Sequence, residues 1–207
     1  MSVAIVDYAA GNRTSVQNAL RFLGADFTVA SEPAQLLDCE RVIFPGVGEA
    51  RAAMDDLARR GMDDALRRLT ADGRPLLGIC IGAQVLLEYS AERDTTCLGL
   101  VPGQAVAFPE PRPGDGMKVP HMGWNQVRQE RTHPLFDGIP DDGSFYFVHS
   151  FYPRPADESA VLGSTAYGLR FTSAYAAGNL AAVQFHAEKS GRNGLRLLAN
   201  FLEWDGA

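Results

Sequence analysis

Cysteine is scarce in this chain: Cys39, Cys80 and Cys97 are the only three among 207 residues. So small and odd a set cannot supply a disulfide framework, so reduced thiols are expected. No apolar run approaches the ~20 residues that a membrane helix requires. The opening run, Met1 to Asp7, has no basic flank and meets an acid too early for a secretory leader. A cytoplasmic location is the expectation. Basic residues are outnumbered, 19 Lys and Arg against 25 Asp and Glu, and they are scattered. That argues against a nucleic-acid groove. Internal repeats and low-complexity tails are absent. What is left is an ordinary composition, 46% hydrophobic and 21% charged. It fits a single domain over residues 1–207 with a full core.

The first half alternates strand and helix signals. Val3 to Val6, Phe27 to Ala30, Val42 to Phe44 and Pro75 to Ile79 are short apolar runs suited to buried strands. Helical patterns separate them: Arg13 to Leu23, a short helix after a Ser31 cap, Glu49 to Arg60 and Met62 to Asp72. A further helix is expected from Ile81 to Tyr89. The βαβα order predicts an α/β fold, with a mostly parallel central sheet covered by helices on both faces. The second half predicts an additional antiparallel β region. Its strands are Val101 to Phe108, Val119 to His121, Asn125 to Arg128, Phe145 to His149, Ala160 to Thr165, Phe171 to Tyr175 and Leu180 to Phe185. A last helix is expected from Asn193 to Leu202. The Pro- and Gly-rich run Pro109 to Gly116 reads as a surface loop.

Chemistry concentrates in two places. Gly78-Ile79-Cys80-Ile81-Gly82 follows a strand and precedes a helix. A nucleophile on such a sharp turn needs small flanking residues. The helix start favours a thiolate, and the Ile81 N–H is placed to donate to an oxyanion. Cys39 and Cys97 lack this frame and read as buried structural thiols. The second place is His186-Ala187-Glu188, just past an apolar strand, where α/β active sites collect. In an extended segment the two side chains leave one face, so a carboxylate can orient the ring while the other nitrogen faces a thiol. His-x-Glu could also be half of a metal site, but no His or Cys cluster supplies a third ligand, so no metal is expected. Alone it could be a solvated turn; the cysteine elbow makes it a triad candidate. His133 reads as a turn residue, and His121 and His149 end strands.

These blocks carry a resemblance. Added to them are Asp7-Tyr8 with Gly11-Asn12 and Ser15-Val16, Pro45-Gly46-Val47-Gly48, Lys118 to Asn125 and Tyr146 to Ser150. Over nearly its whole length the chain resembles class I, triad-type glutamine amidotransferases, and most of all those serving histidine biosynthesis. The resemblance implies a glutaminase with Cys80 as nucleophile, His186 as base and Glu188 as orienter. It implies an oxyanion site built from Ile81 and an N–H of Gly46, Val47 or Gly48, with Gln84, His149 and Ser150 gripping glutamine. It implies no cofactor, and a (β/α)8-barrel synthase partner that receives the ammonia. Asn12, Trp124, Tyr146 and Lys189 match positions at or near that interface, where an exposed Trp would be a binding anchor; the alternative for Trp124 is core packing. Two positions depart from the pattern. Ala187 replaces a usual proline, which frees one φ angle between base and orienter. Glu49-Ala50 replaces a usual aromatic. The two glycines around Val47 would let a peptide plane turn at little cost. A resting carbonyl at the oxyanion site, turned by partner and ligand, is therefore expected. Rival readings are an amidotransferase feeding another synthase (one amidating a surface sugar, for example), a partner-independent γ-glutamyl hydrolase, and a non-catalytic scaffold.

Overall fold

The computed structural model describes residues 2–8, 13–111 and 117–207. Asn12, with Gly11 and most of the Pro109 to Gly116 loop, lies outside the described residues. The first half runs β1 (Val3–Val6), α1 (Arg13–Phe22), β2 (Phe27–Ala30), α2 (Pro33–Leu37) and β3 (Arg41–Phe44). It continues through α3 (Ala50–Arg60), α4 (Met62–Ala71), β4 (Leu76–Ile79) and α5 (Ile81–Val85). Short strands β5 (Tyr89–Ser90) and β6 (Thr95–Thr96) follow, then β7 (Gly103–Ala107), β8 (His121–Gln129), β9 (Gly143–His149) and β10 (Phe151–Pro155). β11 (Val161–Tyr167), β12 (Leu169–Ala177), β13 (Leu180–Val183) and α6 (Gly191–Glu203) complete the chain.

One nine-stranded sheet has the order β2-β1-β3-β4-β13-β12-β11-β8-β9. Pairing is parallel from β2 to β13 and antiparallel from β13 to β9. A smaller sheet, β10-β7-β5-β6, packs beside it. β1, β3, β4 and β13 are buried along their whole length, as parallel strands covered on both faces must be. Their residues alternate between two cores. Val3, Ile5, Ile43, Leu77 and Val183 join Val16 and Leu20 of α1 and Leu198 and Phe201 of α6. Ala4, Val6, Val42, Leu76 and Ala182 join Leu36, Leu57 and Leu66 of α2, α3 and α4. The period of two along each strand thus sorts side chains into the two helical layers.

Four local expectations are corrected. α5 stops at Val85, because the carbonyls of Val85, Leu86 and Leu87 accept from Leu98, Leu100 and Gly99 and leave the helix path. His121 and Asn125 to Arg128 belong to one run, β8, which begins at His121, while Val119 and Pro120 precede it. Gly123 does not break it, since the ladder to β9 continues from His121↔His149 to Val127↔Gly143. β10 was not expected; Pro153 and Pro155 hide it, yet it pairs with β7. The cap of α2 is Glu32, one residue after Ser31, because the Gln35 side chain folds back to accept from the Glu32 N–H. Among the described residues no helix is long and apolar enough to cross a membrane.

α6 is tied down by a buried cation. Arg41 of β3 is 8% exposed, and its Nη1 donates to the carbonyls of Phe201 (2.7 Å) and Trp204 (2.8 Å) at the helix end. Those carbonyls have no intrahelical donor to replace it. Arg41→Met keeps the aliphatic stem and removes both bonds. It should lower unfolding free energy by about 2–4 kcal/mol, read as a lower urea midpoint at unchanged m-value.

Candidate active site

The elbow is strained where the sequence placed it. Cys80 has φ 56° and ψ −108°, unusual for a residue other than glycine. It sits between β4 and α5, and its N–H donates to Val183 O at 2.8 Å. Close approach explains the second glycine: a Cβ on Gly82 would lie 2.0 Å from Phe44 O. Ile81, as first residue of α5, has an N–H with no intrahelical acceptor. Because α5 is only five residues long, its dipole adds less here than the expected nine-residue helix would have.

β13 delivers the base. It pairs in parallel with β4, Val183 opposite Ile79, so the chain beyond each strand emerges side by side. His186 lies three residues past Val183, and its Nδ1 is 2.8 Å from Glu188 Oε1. Both side chains are 1% exposed. The segment is a 3-10 turn over Ala187–Lys189 and not the extended run expected from sequence. The turn still brings carboxylate and ring together with alanine at position 187. His186 N donates to Tyr146 O (2.9 Å), and His186 O accepts from Lys189 N (3.0 Å) and Ser190 Oγ (2.6 Å). Gly194 of α6 then packs directly on the Ala187 carbonyl. Among the described residues, buried Nε2 meets no partner at full hydrogen-bond geometry. Burial by itself lowers the imidazole pKa. The nearby Cys80 sulfur, which Nε2 approaches, and the Glu188 carboxylate outweigh burial and raise it.

Cys80 and His186 open on a cavity of about 350 Å³. Clefts of about 820 and 640 Å³ lie elsewhere, but neither is lined by Cys80 or His186. Chemistry, not size, marks the site. Val47, Gly48, Ile81, Gln84, His149 and Ser150, named from the resemblance as oxyanion or substrate groups, line the cavity. Gly46 does not; it is buried behind, where a Cβ would meet the Tyr8 hydroxyl at 1.9 Å. Glu92, Pro120, Val148 and Phe151 also line it and were not singled out in the sequence. Glu92 caps α3 through Ala50 N (2.7 Å), and burial raises its pKa. Trp124, Tyr146 and Lys189 stand outside the cavity. Trp124 is 59% exposed, which removes the alternative of core packing, and it faces Tyr146 across the β8–β9 ladder. Lys189 is exposed.

The strand-end histidines form a relay. His149 Nδ1 is 2.8 Å from Phe151 O, which can only accept, so Nδ1 carries the proton. Nε2 then accepts from His121 Nδ1 at 3.0 Å. His121 Nε2 in turn accepts from Asn125 Nδ2 at 3.2 Å, and that amide also donates to Ala166 O. Burial among Phe108, Phe147 and Phe171 keeps both rings neutral, lowering the pKa of His121 to about 4 and of His149 to about 3. An unfolded histidine near pH 6.5 binds its proton earlier than these do. Between the two values the unfolded state holds more protons, so stability falls as pH drops below about 6.5. For His149 that slope reaches at most ~1.4 kcal/mol per pH unit. His149→Phe should therefore lose less stability than the parent between pH 6.5 and 4.5, measured as urea midpoints across that range.

The family model described as "Glutamine amidotransferase class-I" matches residues 4–204. The chain is 48% identical to the imidazole glycerol phosphate synthase subunit HisH of Dehalococcoides mccartyi, over 97% of this chain and 96% of that one. It is 50% identical to the protein of the same name from Nitratidesulfovibrio vulgaris, over 96% and 94%. Among solved structures, one described as a glutamine amidotransferase superposes with TM-score 0.74 at 22% identity, over 99% of both chains. PurLQS of Thermotoga maritima gives 0.75 at 19%, over 98% and 97%. At those identities the two structures speak for the fold alone. The family match and the close relatives go further: this chain belongs to the class I glutamine amidotransferases.

Proposed function

We propose that this chain, acting as one amidotransferase domain, is the glutaminase subunit of an imidazole glycerol phosphate synthase. The reading rests on the His186 ring, held by Glu188 on one side and approached by Cys80 on the other, at the ends of adjacent parallel strands. Cys80 thiolate attacks the side-chain amide carbon of glutamine. The oxyanion is met by the Ile81 N–H and by an N–H of the Gly46-Val47-Gly48 segment. His186 passes a proton to the departing ammonia, leaving a glutamyl thioester. Water then attacks the thioester carbon, giving up its proton to His186, and glutamate leaves as sulfur regains its electron pair. Gln84, with the backbone at His149 and Ser150, grips the amino-acid end of the substrate.

Ammonia set free in neutral water becomes ammonium and loses its nucleophilic lone pair. The product is useful only if passed directly to a second active site. The partner in this reading is a (β/α)8-barrel cyclase that forms imidazole glycerol phosphate and an aminoimidazole carboxamide ribotide. The exposed Trp124 against Tyr146, with Lys189 near the triad turn, supplies the docking face, and Asn12 belongs to it by resemblance. A cytoplasmic location goes with this reading. A peptide of Gly46 to Gly48 that turns on docking would make the isolated chain the slower glutaminase.

Cys80→Ala should abolish glutamine-dependent synthesis in the complex while synthesis from an added ammonium salt continues at the parent rate. Loss of both would give the cysteine a structural role instead. In the parent, glutamine hydrolysis should rise at least tenfold when the barrel subunit and its ligand are added, a change of ~1.4 kcal/mol in barrier. Equal rates with and without the barrel would remove the turning peptide from the mechanism.

A further inference from the structure

Gln184 escapes sequence reading because it looks like one more strand residue before Phe185-His186. In the fold it is fully buried beside the nucleophile. β13 and β4 are in register, Val183 opposite Ile79, so Gln184 emerges alongside Cys80. Its Nε2 lies 3.6 Å from Cys80 Sγ, and its Oε1 accepts from Gln84 Nε2 at 2.9 Å.

The orientation of these two amides is forced. Gln84 Nε2 also lies 3.0 Å from Phe151 O. A carbonyl only accepts, so the Gln84 atom facing it must be nitrogen. Its two hydrogens are then spent on Phe151 O and Gln184 Oε1. Turning the Gln184 amide over would set nitrogen against nitrogen on one side and oxygen against sulfur on the other. The acceptor-only carbonyl of Phe151, already held from its other side by His149, therefore dictates an N–H pointing at Cys80.

Among the described residues, Sγ is the only hydrogen-bond partner of Gln184 Nε2. A neutral thiol is a weak acceptor, and burying a primary amide against one is a poor structural bargain. A thiolate is a strong, charge-assisted acceptor. We propose that Gln184 is a further catalytic residue, donating through Nε2 to the Cys80 thiolate before attack and again as the thioester breaks. In the second step water oxygen bonds to the acyl carbon, the C–S bond breaks, and the electron pair returns to sulfur facing the same N–H. The proposal rests on Cys80 being the nucleophile. Its test reads the thiol itself, so it succeeds or fails separately from glutamine hydrolysis.

The test is alkylation of the full chain by iodoacetamide across pH, followed by mass spectrometry of the Cys80 peptide so that Cys39 and Cys97 do not interfere. Gln184→Met fills the space without a donor. Gln184→Glu keeps the acceptor for Gln84 and puts oxygen against sulfur. At pH 7 the Met variant should label about fivefold more slowly than the parent, a loss of ~1 kcal/mol of hydrogen bonding. The Glu variant should label more slowly still, and both profiles should move to higher pH. Gln84→Met, which unlocks Gln184 without replacing it, should move the profile the same way by less. A profile unmoved in any folded Gln184 variant overturns the proposal, and a lowered Tm with an unmoved profile assigns Gln184 to packing alone.

Discussion

Everything in the site hangs on the parallel pairing of β4 with β13. It sets Val183 opposite Ile79 and lets Val183 O receive the Cys80 N–H. Cys80 and Gln184 then leave the sheet as neighbours, and His186 follows within reach of the sulfur. The pairing is also the seam of the fold, because β13 is parallel to β4 and antiparallel to β12. A slip of one residue would turn every side chain beyond the strand to the other face and dissolve the site. The two apolar cores sharing the alternating residues of these strands oppose such a slip.

Two buried histidines near one cavity are driven in opposite directions. His186 has the Glu188 carboxylate on one side and the Cys80 sulfur on the other, and its pKa rises in spite of burial. For His149 burial dominates over the raising effect of the Phe151 carbonyl, and its pKa falls to about 3. One is equipped to carry a proton and the other to stay neutral and hold direction. Neither ring's role follows from residue type, since both are imidazoles at the ends of strands.

Strain at Cys80 is held in place by its surroundings. Positive φ at a non-glycine residue persists only where neighbouring contacts over-determine it. Here the Val183 carbonyl fixes the backbone N–H, and Gly82 lets α5 press against Phe44 O. The triad turn is secured in a similar way. Tyr146 O, Ser190 Oγ and the close approach of Gly194 fix a segment that proline would otherwise stiffen.

The α/β order, the buried four-residue strands, the cysteine elbow and the His186–Glu188 pair were all legible in the sequence. Each rests on short-range rules: apolar runs, helical period, and small residues flanking a tight turn. Long-range rules escaped it. The early stop of α5 is decided by donors at Leu98 to Leu100, and β10 by its partner β7. Trp124 could be read as core or surface until the β8–β9 ladder exposed it. Gln184 had no sequence signature, because its role depends on which strand lies beside it and which carbonyl fixes its amide. Sequence by itself determined what chemistry this chain can carry. Tertiary structure decided which groups share it, because register and hydrogen-bond polarity are properties of paired strands and belong to no single segment.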